Sequence, residues 1–355
     1  MRLILFDLGL ELRGGQRQTL YLAQAAKAEG IDVSIACADG SPLHKAAATQ
    51  DITVFPLPGR ASLSLENFLL LRRELRKSPG TVLHTQDARS ALQGALLKQC
   101  SPLLFFLVHS RRVAYPIRNR FSAWKYTKAD AVVAVSREIS RMLVSGGVQA
   151  EKIRVIHSGI DPALYSRRAE RAGHTFRFGI IGALTPQKGH AVLLDAVACL
   201  LRESDLPRWQ VAIVGDGPLR MEIERTIRTI NAQGHVYLWG YVPSSEFLPQ
   251  LDALLVPSAH GEGSNATLKE AWASGVPVLV SDLPSNLELV QPEVNGLSFI
   301  SGNGQDLAHA MLRLMRDAPL RERLIEGGDE SLPAVTHARM AEENIRLYLE
   351  FGGDR

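Results

Sequence analysis

The sequence predicts an α/β protein with two doubly wound domains, each built on a parallel sheet with helices on both faces. Short apolar runs rich in β-branched residues alternate with stretches of helical periodicity along nearly the whole chain. The chain has 355 residues, which is more than one such domain usually needs. A polar segment without apolar periodicity, residues 161–174, separates the two sets of alternating runs and is the best candidate for a linker.

The first set of runs defines an amino-terminal domain at residues 1–163. Its predicted strands lie at residues 3–8, 33–36, 53–55, 81–84, 104–109, 131–135 and 153–156, and its predicted helices lie near residues 16–28, 64–77, 88–98, 117–127 and 137–145. The second set defines a domain at residues 174–335, with predicted strands at residues 176–181, 210–214, 236–239, 253–256, 277–280 and 297–300. Residues 336–355 contain an amphipathic helix, which we expect to pack back toward the amino-terminal domain. Since ligands of such folds bind beyond the carboxyl ends of the strands, two facing domains would form a cleft.

Composition excludes several classes of protein. Apolar residues make up 46% and charged residues 22% of the chain, as is ordinary for a soluble globular protein. No apolar run approaches the roughly 20 residues of a membrane-spanning helix. The three cysteines and ten histidines are scattered without disulfide or metal-ligand spacing. We therefore expect a cytoplasmic protein without a metal ion.

The positive charge is concentrated in the first half of the chain. Residues 1–166 carry a net charge of +9 and residues 167–355 a net charge of −6. Basic and aromatic residues interleave at 111–128, where the basic members are Arg111, Arg112, Arg118, Arg120, Lys125 and Lys128. This segment is suited to an anionic membrane surface or an anionic acceptor, and the alternative is a solvated helix whose aromatic residues pack inward. Nucleic acid is not expected, because the second half is acidic and no nucleic-acid motif is present.

The most informative stretch is residues 257–277. The apolar run at 253–256 predicts a buried strand and residues 268–274 predict a helix, with Glu262 in the turn between them and Glu270 about one turn into the helix. The free N–H groups and positive dipole end of such a helix favour phosphate. In a ligand that carries a group on each side of its phosphates, one carboxylate can then face the group on one side and the other carboxylate can face the group on the other side. This arrangement suits a nucleotide-sugar.

Three glycine-containing turns follow predicted strands. Gly14 and Gly15 open the first helix, Lys188 precedes Gly189 after the first strand of the second domain, and Gly215 lies in Val-Gly-Asp-Gly-Pro at 214–218. None matches a Rossmann dinucleotide loop or a Walker loop. Lys188 is placed to reach a diphosphate, and the turn at Gly215 is placed to flank a nucleobase. Taken alone, each motif is also explained by a tight turn or a surface lysine.

His109 ends the predicted strand at 104–109 and precedes the basic segment. A histidine at the carboxyl end of a strand lies where ligands bind, so we expect a functional role; the alternative is a core histidine. His84, at the end of the strand at 81–84, is a weaker candidate. No nucleophile elbow, metal-ligand cluster or catalytic cysteine–histidine signature is present. These absences favour chemistry performed by positioning and electrostatics.

Together these residues resemble glycosyltransferase family 4, the retaining sugar-nucleotide transferases whose GT-B fold consists of two facing Rossmann-like domains. The resemblance covers nearly the whole chain. Its most specific part is Glu262 and Glu270 followed by Ala-Trp-Ala-Ser-Gly-Val-Pro-Val. Supporting matches are Gly14-Gly15, His109, Ser158-Gly-Ile-Asp161, Lys188-Gly189, Gly215-Asp-Gly-Pro218 and Gly240-Tyr-Val242.

The resemblance implies a role for each of these residues. Glu270 would bind the nucleotide ribose, Glu262 would contact the hydroxyls of the transferred sugar, and His109 would contact that sugar near the reacting carbon. Lys188 would neutralise the diphosphate, while Gly215 and Val242 would frame the base and Gly15 would let the first domain close over the phosphates. The diphosphate would be held by the turn that contains Gly263, Ser264, Asn265, Ala266 and Thr267. No divalent metal or other cofactor is implied.

The implied reaction moves a sugar from a nucleoside-diphosphate sugar to a glycan or lipid-linked acceptor in bacterial lipopolysaccharide or other surface-polysaccharide biosynthesis. The leaving diphosphate would take the proton of the acceptor, and fixed charges and dipoles would stabilise the transition state. The chain departs from the family at Ala183, where an arginine usually joins the lysine in neutralising the diphosphate. A milder departure is Ser158, which stands where asparagine is common.

Two other functions are compatible with the same residues. Ala183 supports a catalytically impaired relative that binds a sugar nucleotide, or a partner glycosyltransferase, as a scaffold. The second is a nucleotide-sugar epimerase or a sugar-phosphate synthase on the same fold. An epimerase would convert the donor without an acceptor, which distinguishes it from a transferase.

Overall fold

The structure is a computed structural model that describes residues 1–59, 61, 63–115, 117, 120–168, 175–260 and 263–352, with the backbone alone at 120, 121 and 352. The chain forms two compact units. Unit 1 consists of residues 1–159 together with the segment that begins at His337, and unit 2 consists of residues 160–336. Each unit contains a single parallel sheet.

Unit 1 contains a seven-stranded parallel sheet with the strand order β3-β2-β1-β4-β5-β6-β7. The strands are β1 Arg2–Asp7, β2 Asp32–Ala38, β3 Thr53–Leu57, β4 Thr81–Thr85, β5 Phe105–Arg111, β6 Ala131–Ala134 and β7 Ile153–Val155. The helices between them are α1 Gly14–Ala28, α2 Pro42–Thr49, α3 Leu65–Lys77, α4 Ala88–Cys100, α5 Arg120–Thr127 and α6 Arg137–Ser145.

Unit 2 contains a six-stranded parallel sheet with the strand order β10-β9-β8-β11-β12-β13. Its strands are β8 Phe176–Ile181, β9 Trp209–Val214, β10 Val236–Gly240, β11 Ala253–Val256, β12 Val278–Ser281 and β13 Leu297–Phe299. Its helices are α7 His190–Leu200, α8 Arg220–Thr229, α9 Ser244–Phe247, α10 Ala266–Ala273, α11 Pro284–Leu287, α12 Gly304–Arg316 and α13 Ala318–Ser331. The last helix, α14 His337–Gly352, belongs to unit 1.

The central parts of the strands are largely apolar because both faces of each sheet are covered. In β1, Leu3 and Leu5 pack into one hydrophobic cluster, whereas Ile4 and Phe6 pack into a second cluster on the other face. Side chains of a strand alternate between the two faces, so a continuous apolar run fills two cores at once. The expectation of two doubly wound α/β domains is confirmed.

The predicted strands agree with the structure to within two residues at each end, but in unit 1 one helix was not predicted and one strand continues past its apolar run. Helix α2 was not predicted, although Ser41 caps it by accepting a hydrogen bond from the His44 amide and Pro42 occupies its first turn. Strand β5 continues to Arg111 instead of ending at His109. The described part of the proposed linker, residues 161–168, packs on unit 2, where the Arg168 amide donates to the Ser274 carbonyl and its guanidinium pairs with Asp252.

Helix α14 packs against α1 and reaches the interior of unit 1 through Tyr348, which is fully buried. The Tyr348 hydroxyl lies 2.5 Å from His84 Nδ1, and His84 Nε2 lies 2.9 Å from the Ser110 hydroxyl. Burial lowers the pKa of His84 well below its usual value, so the ring is neutral. One ring nitrogen therefore donates a hydrogen bond to its partner and the other accepts one. No helix in the described part of the chain is long and apolar enough to cross a membrane.

Tyr348→Phe tests this buried contact. The substitution leaves His84 without a partner at Nδ1, and an unsatisfied buried polar atom costs about 1–3 kcal/mol. We expect a lower urea midpoint for the unfolding of unit 1, measured by circular dichroism. Tyr115→Phe removes the same hydroxyl from a side chain that is 60% exposed and should leave the midpoint unchanged. Equal midpoints for the two variants would contradict a structural role of this hydrogen bond.

Candidate functional site

The candidate site lies where the strand order of unit 2 reverses. The chain moves outward from β8 through β9 to β10 on one side and from β11 through β12 to β13 on the other. The loops after β8 and β11 therefore diverge, and ligands of doubly wound proteins bind in the crevice between such loops. A small pocket here is lined by residues of both loops, among them Lys188, Pro257, Asn265 and Thr267.

The loop after β8 carries Lys188 into this pocket. Its methylene groups lie over Gly182, because a Cβ added there would be 3.2 Å from Lys188 Cε. The next residue, Gly189, has φ +70° and lies so close to Pro257 that a Cβ would overlap the Pro257 carbonyl oxygen. The Ala259 amide donates to the Gln187 carbonyl at 2.9 Å. Close backbone packing therefore holds Lys188 beside the loop that follows β11.

The turn before α10 presents backbone and side-chain donors on the opposite wall. Asn265 caps the helix by accepting a hydrogen bond from the Leu268 amide at 3.4 Å. Asn265 is only 4% exposed, and its Nδ2 has no hydrogen-bond partner among the described residues. A buried unpaired donor is costly, so this atom indicates a ligand that accepts hydrogen bonds. The free N–H groups of the first turn of α10 and its positive dipole end favour an anion at the same place.

Helix α10 is buried on nearly all sides. Trp272 is anchored by a hydrogen bond from its indole N–H to the Asn295 carbonyl at 2.9 Å. Glu270 lies one turn into the helix and is 9% exposed. Lys269 is fully buried, and its ammonium donates to the Ser264 hydroxyl at 2.7 Å. Sequence reasoning missed Lys269, since the surrounding apolar pattern gave no sign that a charged side chain would be enclosed.

The turn after β9 packs directly against the turn after β8. Gly215 has φ +141°, and a Cβ there would overlap the Gly182 carbonyl oxygen. Its amide donates to the Gly240 carbonyl at 2.7 Å, which joins the turn after β10 to the same edge. Val242 follows that turn and packs partly buried against the core. The predicted base-flanking residues thus lie at the carboxyl edge of the sheet, as Lys188 does.

The structure brings most of the predicted donor-site residues to one edge of unit 2. Lys188, Asn265 and Thr267 line the pocket, and Ala266 opens the helix that contains Glu270. Gly263 and Ser264 lie in the turn that leads to Asn265. Glu262 lies outside the described residues, so its contact with a sugar stays a prediction.

Unit 1 contributes a second set of polar residues at the carboxyl edge of its own sheet. Gly15 is in the first turn of α1, where a Cβ would lie 3.9 Å from Arg112 Cδ. The buried Asp7 carboxylate accepts hydrogen bonds from the Gly9 amide at 2.8 Å, Thr19 Oγ1 at 3.0 Å and Gln16 Nε2 at 3.1 Å. Burial raises the pKa of Asp7, and the nearby Asp87 carboxylate adds to the rise. Sequence reasoning did not predict this carboxylate, although an Asp at the end of an apolar strand was a usable signal.

His109 was predicted to end a strand, but it lies two residues before the end of β5. It is fully buried, with Nδ1 2.5 Å from the Thr85 hydroxyl and Nε2 3.0 Å from the Lys125 carbonyl. Burial lowers the pKa of His109 to about 3, so the ring is neutral at physiological pH. The prediction of its position was wrong because the apolar run of β5 ends before the strand does.

The basic segment at 111–128 does not present all of its charges to solvent. Arg111 is buried, where it donates to the Tyr126 hydroxyl at 3.0 Å and to the Tyr115 carbonyl. Arg112 donates to the Gln86 carbonyl at 2.8 Å and to Gln86 Oε1 at 2.6 Å. Arg118 and the side chain of Arg120 lie outside the described residues. The expectation of a basic surface is therefore wrong for Arg111, which lies in the interior of unit 1, while Arg112 is half-buried against Gln86.

The described residues contain no group of three or more His, Cys, Asp or Glu side chains arranged to hold a metal ion. The candidate site instead combines one lysine, a helix N-terminus and a buried amide donor. Such a set binds and orients a phosphorylated ligand by hydrogen bonds and charge.

Comparison with known families and proteins identifies relatives for both units. Residues 12–164 match the family model for Glycosyltransferase Family 4, and residues 165–331 match the model for Glycosyl transferases group 1. The chain is 23% identical over 339 residues to the UDP-Gal:alpha-D-GlcNAc-diphosphoundecaprenol alpha-1,3-galactosyltransferase of Escherichia coli, covering 87% of this chain and 86% of that protein. It is 29% identical over 223 residues to the amylovoran biosynthesis glycosyltransferase AmsK of Erwinia amylovora, covering 60% of this chain. The match spans about half of AmsK, 52% of its length.

Solved structures share the fold of the whole chain. Anabaena HepE in complex with UDP superimposes with a TM-score of 0.85 at 16% identity, covering 99% of this chain and 100% of that one. A glycosyltransferase from Rickettsia africae superimposes with a TM-score of 0.86 at 18% identity, covering 100% of this chain and 99% of that one. At these identities the similarity establishes the fold and no more.

Gly189→Ala tests the packing that positions Lys188. The new Cβ would strain the backbone at positive φ and overlap the Pro257 carbonyl, and each effect costs about 1–3 kcal/mol. Gly302→Ala is the matched control, because Gly302 has φ +79° with open space around it. We expect Gly189→Ala to lower the free energy of unfolding of unit 2 by at least about 1 kcal/mol more than the control, as measured by urea denaturation. Equal losses would show that the contact with Pro257 does not constrain the loop.

Proposed function

We propose that this chain, which belongs to the family 4 glycosyltransferases of the GT-B fold, is a retaining transferase. It moves a sugar from a nucleoside-diphosphate sugar to a glycan or lipid-linked acceptor and keeps the anomeric configuration of that sugar. The observation that carries this proposal is the pocket at the strand-order reversal of unit 2. Lys188, the unpaired Asn265 amide and the start of α10 converge there. This set favours a diphosphate over a neutral ligand.

In this proposal the remaining donor-site residues surround the diphosphate. Backbone amides of the turn from Gly263 to Thr267 hold its oxygens, and Glu270 binds the ribose. Gly215 and Val242 flank the base. Glu262 contacts the hydroxyls of the transferred sugar. The location of Gly215, Asn265 and Glu270 at the carboxyl edge of the sheet of unit 2 supports the assignment.

The chemistry follows from charges that are in place before the reaction. As the glycosidic bond breaks, negative charge develops on the leaving diphosphate, and Lys188 with the first turn of α10 stabilises it. The diphosphate oxygen then accepts the proton of the acceptor hydroxyl on the same face, so no protein base is needed. His109 is neutral and both of its ring nitrogens are bonded within unit 1, so we do not propose it as a proton donor.

Relatives suggest the first donors to examine. The E. coli relative is a UDP-Gal transferase acting on a diphosphoundecaprenol acceptor, and HepE structures contain UDP or UDP-glucose. We propose a uridine diphosphate sugar as the donor and a lipid-linked or lipopolysaccharide acceptor in surface-polysaccharide biosynthesis. The protein would then work in the cytoplasm, without a metal ion, in peripheral contact with the anionic inner face of the membrane.

A scaffold is the second candidate, and Ala183 is the residue that favours it; an epimerase on the same fold is a separate alternative. The position directly after Gly182 carries no charge, so the loop after β8 supplies a single cation to the pocket. A scaffold would bind a sugar nucleotide without turnover in the presence of crude glycan acceptor. An epimerase would convert the sugar nucleotide when no acceptor is added. Nucleoside diphosphate release that depends on an acceptor excludes both.

Lys188→Ala and Glu270→Gln test the donor site. A charge-assisted hydrogen bond to phosphate contributes about 1.5–3 kcal/mol, so we expect Lys188→Ala to weaken UDP binding about 10- to 100-fold by calorimetry. Glu270→Gln should weaken UDP binding but leave the affinity for inorganic pyrophosphate unchanged, because its partner is the ribose. Arg225→Ala and Glu222→Gln, exposed changes of the same kinds on α8, are the controls. Wild-type affinity in Lys188→Ala would refute the assignment of the phosphate subsite.

A further inference from the structure

We propose that Lys269 is a positioning residue of the donor site, whose buried ammonium orders the turn before α10 and supplies the second positive charge of the diphosphate subsite. This inference rests on the proposed function, because it assigns a further residue to the same site. It concerns a side chain that does not line the pocket and that the chemistry above does not use.

The geometry places the ammonium beside the first turn of α10. Helical side chains lean toward the helix N-terminus, and Lys269 follows this direction to reach Ser264, five residues earlier, at 2.7 Å. Ser264 directly precedes Asn265, whose amide is the unpaired donor in the pocket. The hydrogen bond therefore constrains the turn from Gly263 to Asn265, where the diphosphate is proposed to bind.

Burial disfavours the charged form of Lys269. An enclosed ammonium loses hydration, and the start of a helix is already positive. Burial lowers the pKa of Lys269 to about 7, although the carboxylates of Glu288 and Glu270 act in the opposite direction. An anion bound at the start of α10 would stabilise the ammonium.

The distribution of lysines in unit 2 supports the same conclusion. Residues 160–336 contain only two lysines, Lys188 and Lys269, while the other cations of this range are arginines and histidines. The two lysines follow β8 and β11, the two strands that flank the reversal of strand order. Of the described residues that line the pocket, only Lys188 is charged, whereas the diphosphate of a nucleotide-sugar carries two negative charges. Lys269 supplies the second charge from behind the turn before α10, whereas Ala183, in the loop after β8, supplies none.

A lysine differs from an arginine here because its charge can be lost. Near neutral pH the free site holds Lys269 partly deprotonated, and an anion bound nearby raises its pKa. Binding is therefore accompanied by proton uptake. Affinity is greatest below about pH 7, where Lys269 is charged before the ligand arrives, and falls as the pH rises and protonation must accompany binding.

The first test uses the unmodified protein and UDP-glucose, whose diphosphate does not titrate in this range. Calorimetry at about pH 7.5 in buffers of different ionisation enthalpy should show uptake of roughly half a proton or more on binding. Lys269→Met should abolish the uptake, and Leu268→Met, a change in the adjacent fully buried residue, should preserve it. Binding without proton uptake by the wild type would overturn the inference, and this result does not depend on whether a variant folds.

The second test compares affinities across pH. Lys269→Met should weaken UDP-glucose binding about tenfold at pH near 6.5 and much less at pH near 8.5, so that the two curves converge. A constant ratio across this range would show a purely structural role and would overturn the inference. Adding Ala183→Arg to Lys269→Met should restore affinity without restoring the pH dependence of the wild type, because an arginine remains charged.

The outcomes separate this inference from the proposed function. Loss of UDP-glucose binding in Lys188→Ala with no effect of Lys269→Met at any pH leaves the donor site in place and rejects the role of Lys269. A wild-type protein that binds neither UDP, UDP-glucose nor pyrophosphate rejects both proposals.

Discussion

The contact between the Gly189 backbone and the Pro257 carbonyl is the constraint on which the candidate site depends. It joins the loop after β8 to the loop after β11 at the point where the strand order of unit 2 reverses. Only a residue without a Cβ, in the left-handed region, allows the two backbones to approach this closely. Lys188 is consequently held beside the start of α10 by main-chain packing, which needs no side-chain hydrogen bond and does not vary with pH.

The fold was largely predictable from sequence because its strands are buried on both faces. A buried strand such as β11 contributes alternate residues to two cores, so all of its residues must be apolar. The resulting continuous apolar run makes the strand easy to recognise in the sequence. Strand ends are marked less well. In β5, His109, Ser110 and Arg111 continue the ladder although they are polar, because their side chains find partners inside unit 1.

The site was predictable where motifs depend on backbone geometry and unpredictable where they depend on enclosure. Lys188, Gly215 and Asn265 lie at the edge that their spacing indicated. Net charge, by contrast, counts residues without regard to burial, so the basic segment included Arg111, which hydrogen-bonds to Tyr126 inside unit 1. The same limitation hid Lys269. Nothing in the local sequence shows that this lysine lies in the buried part of α10.

Lys269 offers an explanation for the uncharged residue at position 183. A phosphate subsite with two permanent cations attracts any anion of suitable size, and it remains charged when empty. Near neutral pH, a subsite with one permanent cation and one buried amine gains full charge when a diphosphate is present to stabilise it. The neutral side chain after β8 and the enclosed lysine after β11 are then two parts of one arrangement, in which the ligand itself completes the positive charge that stabilises the leaving group.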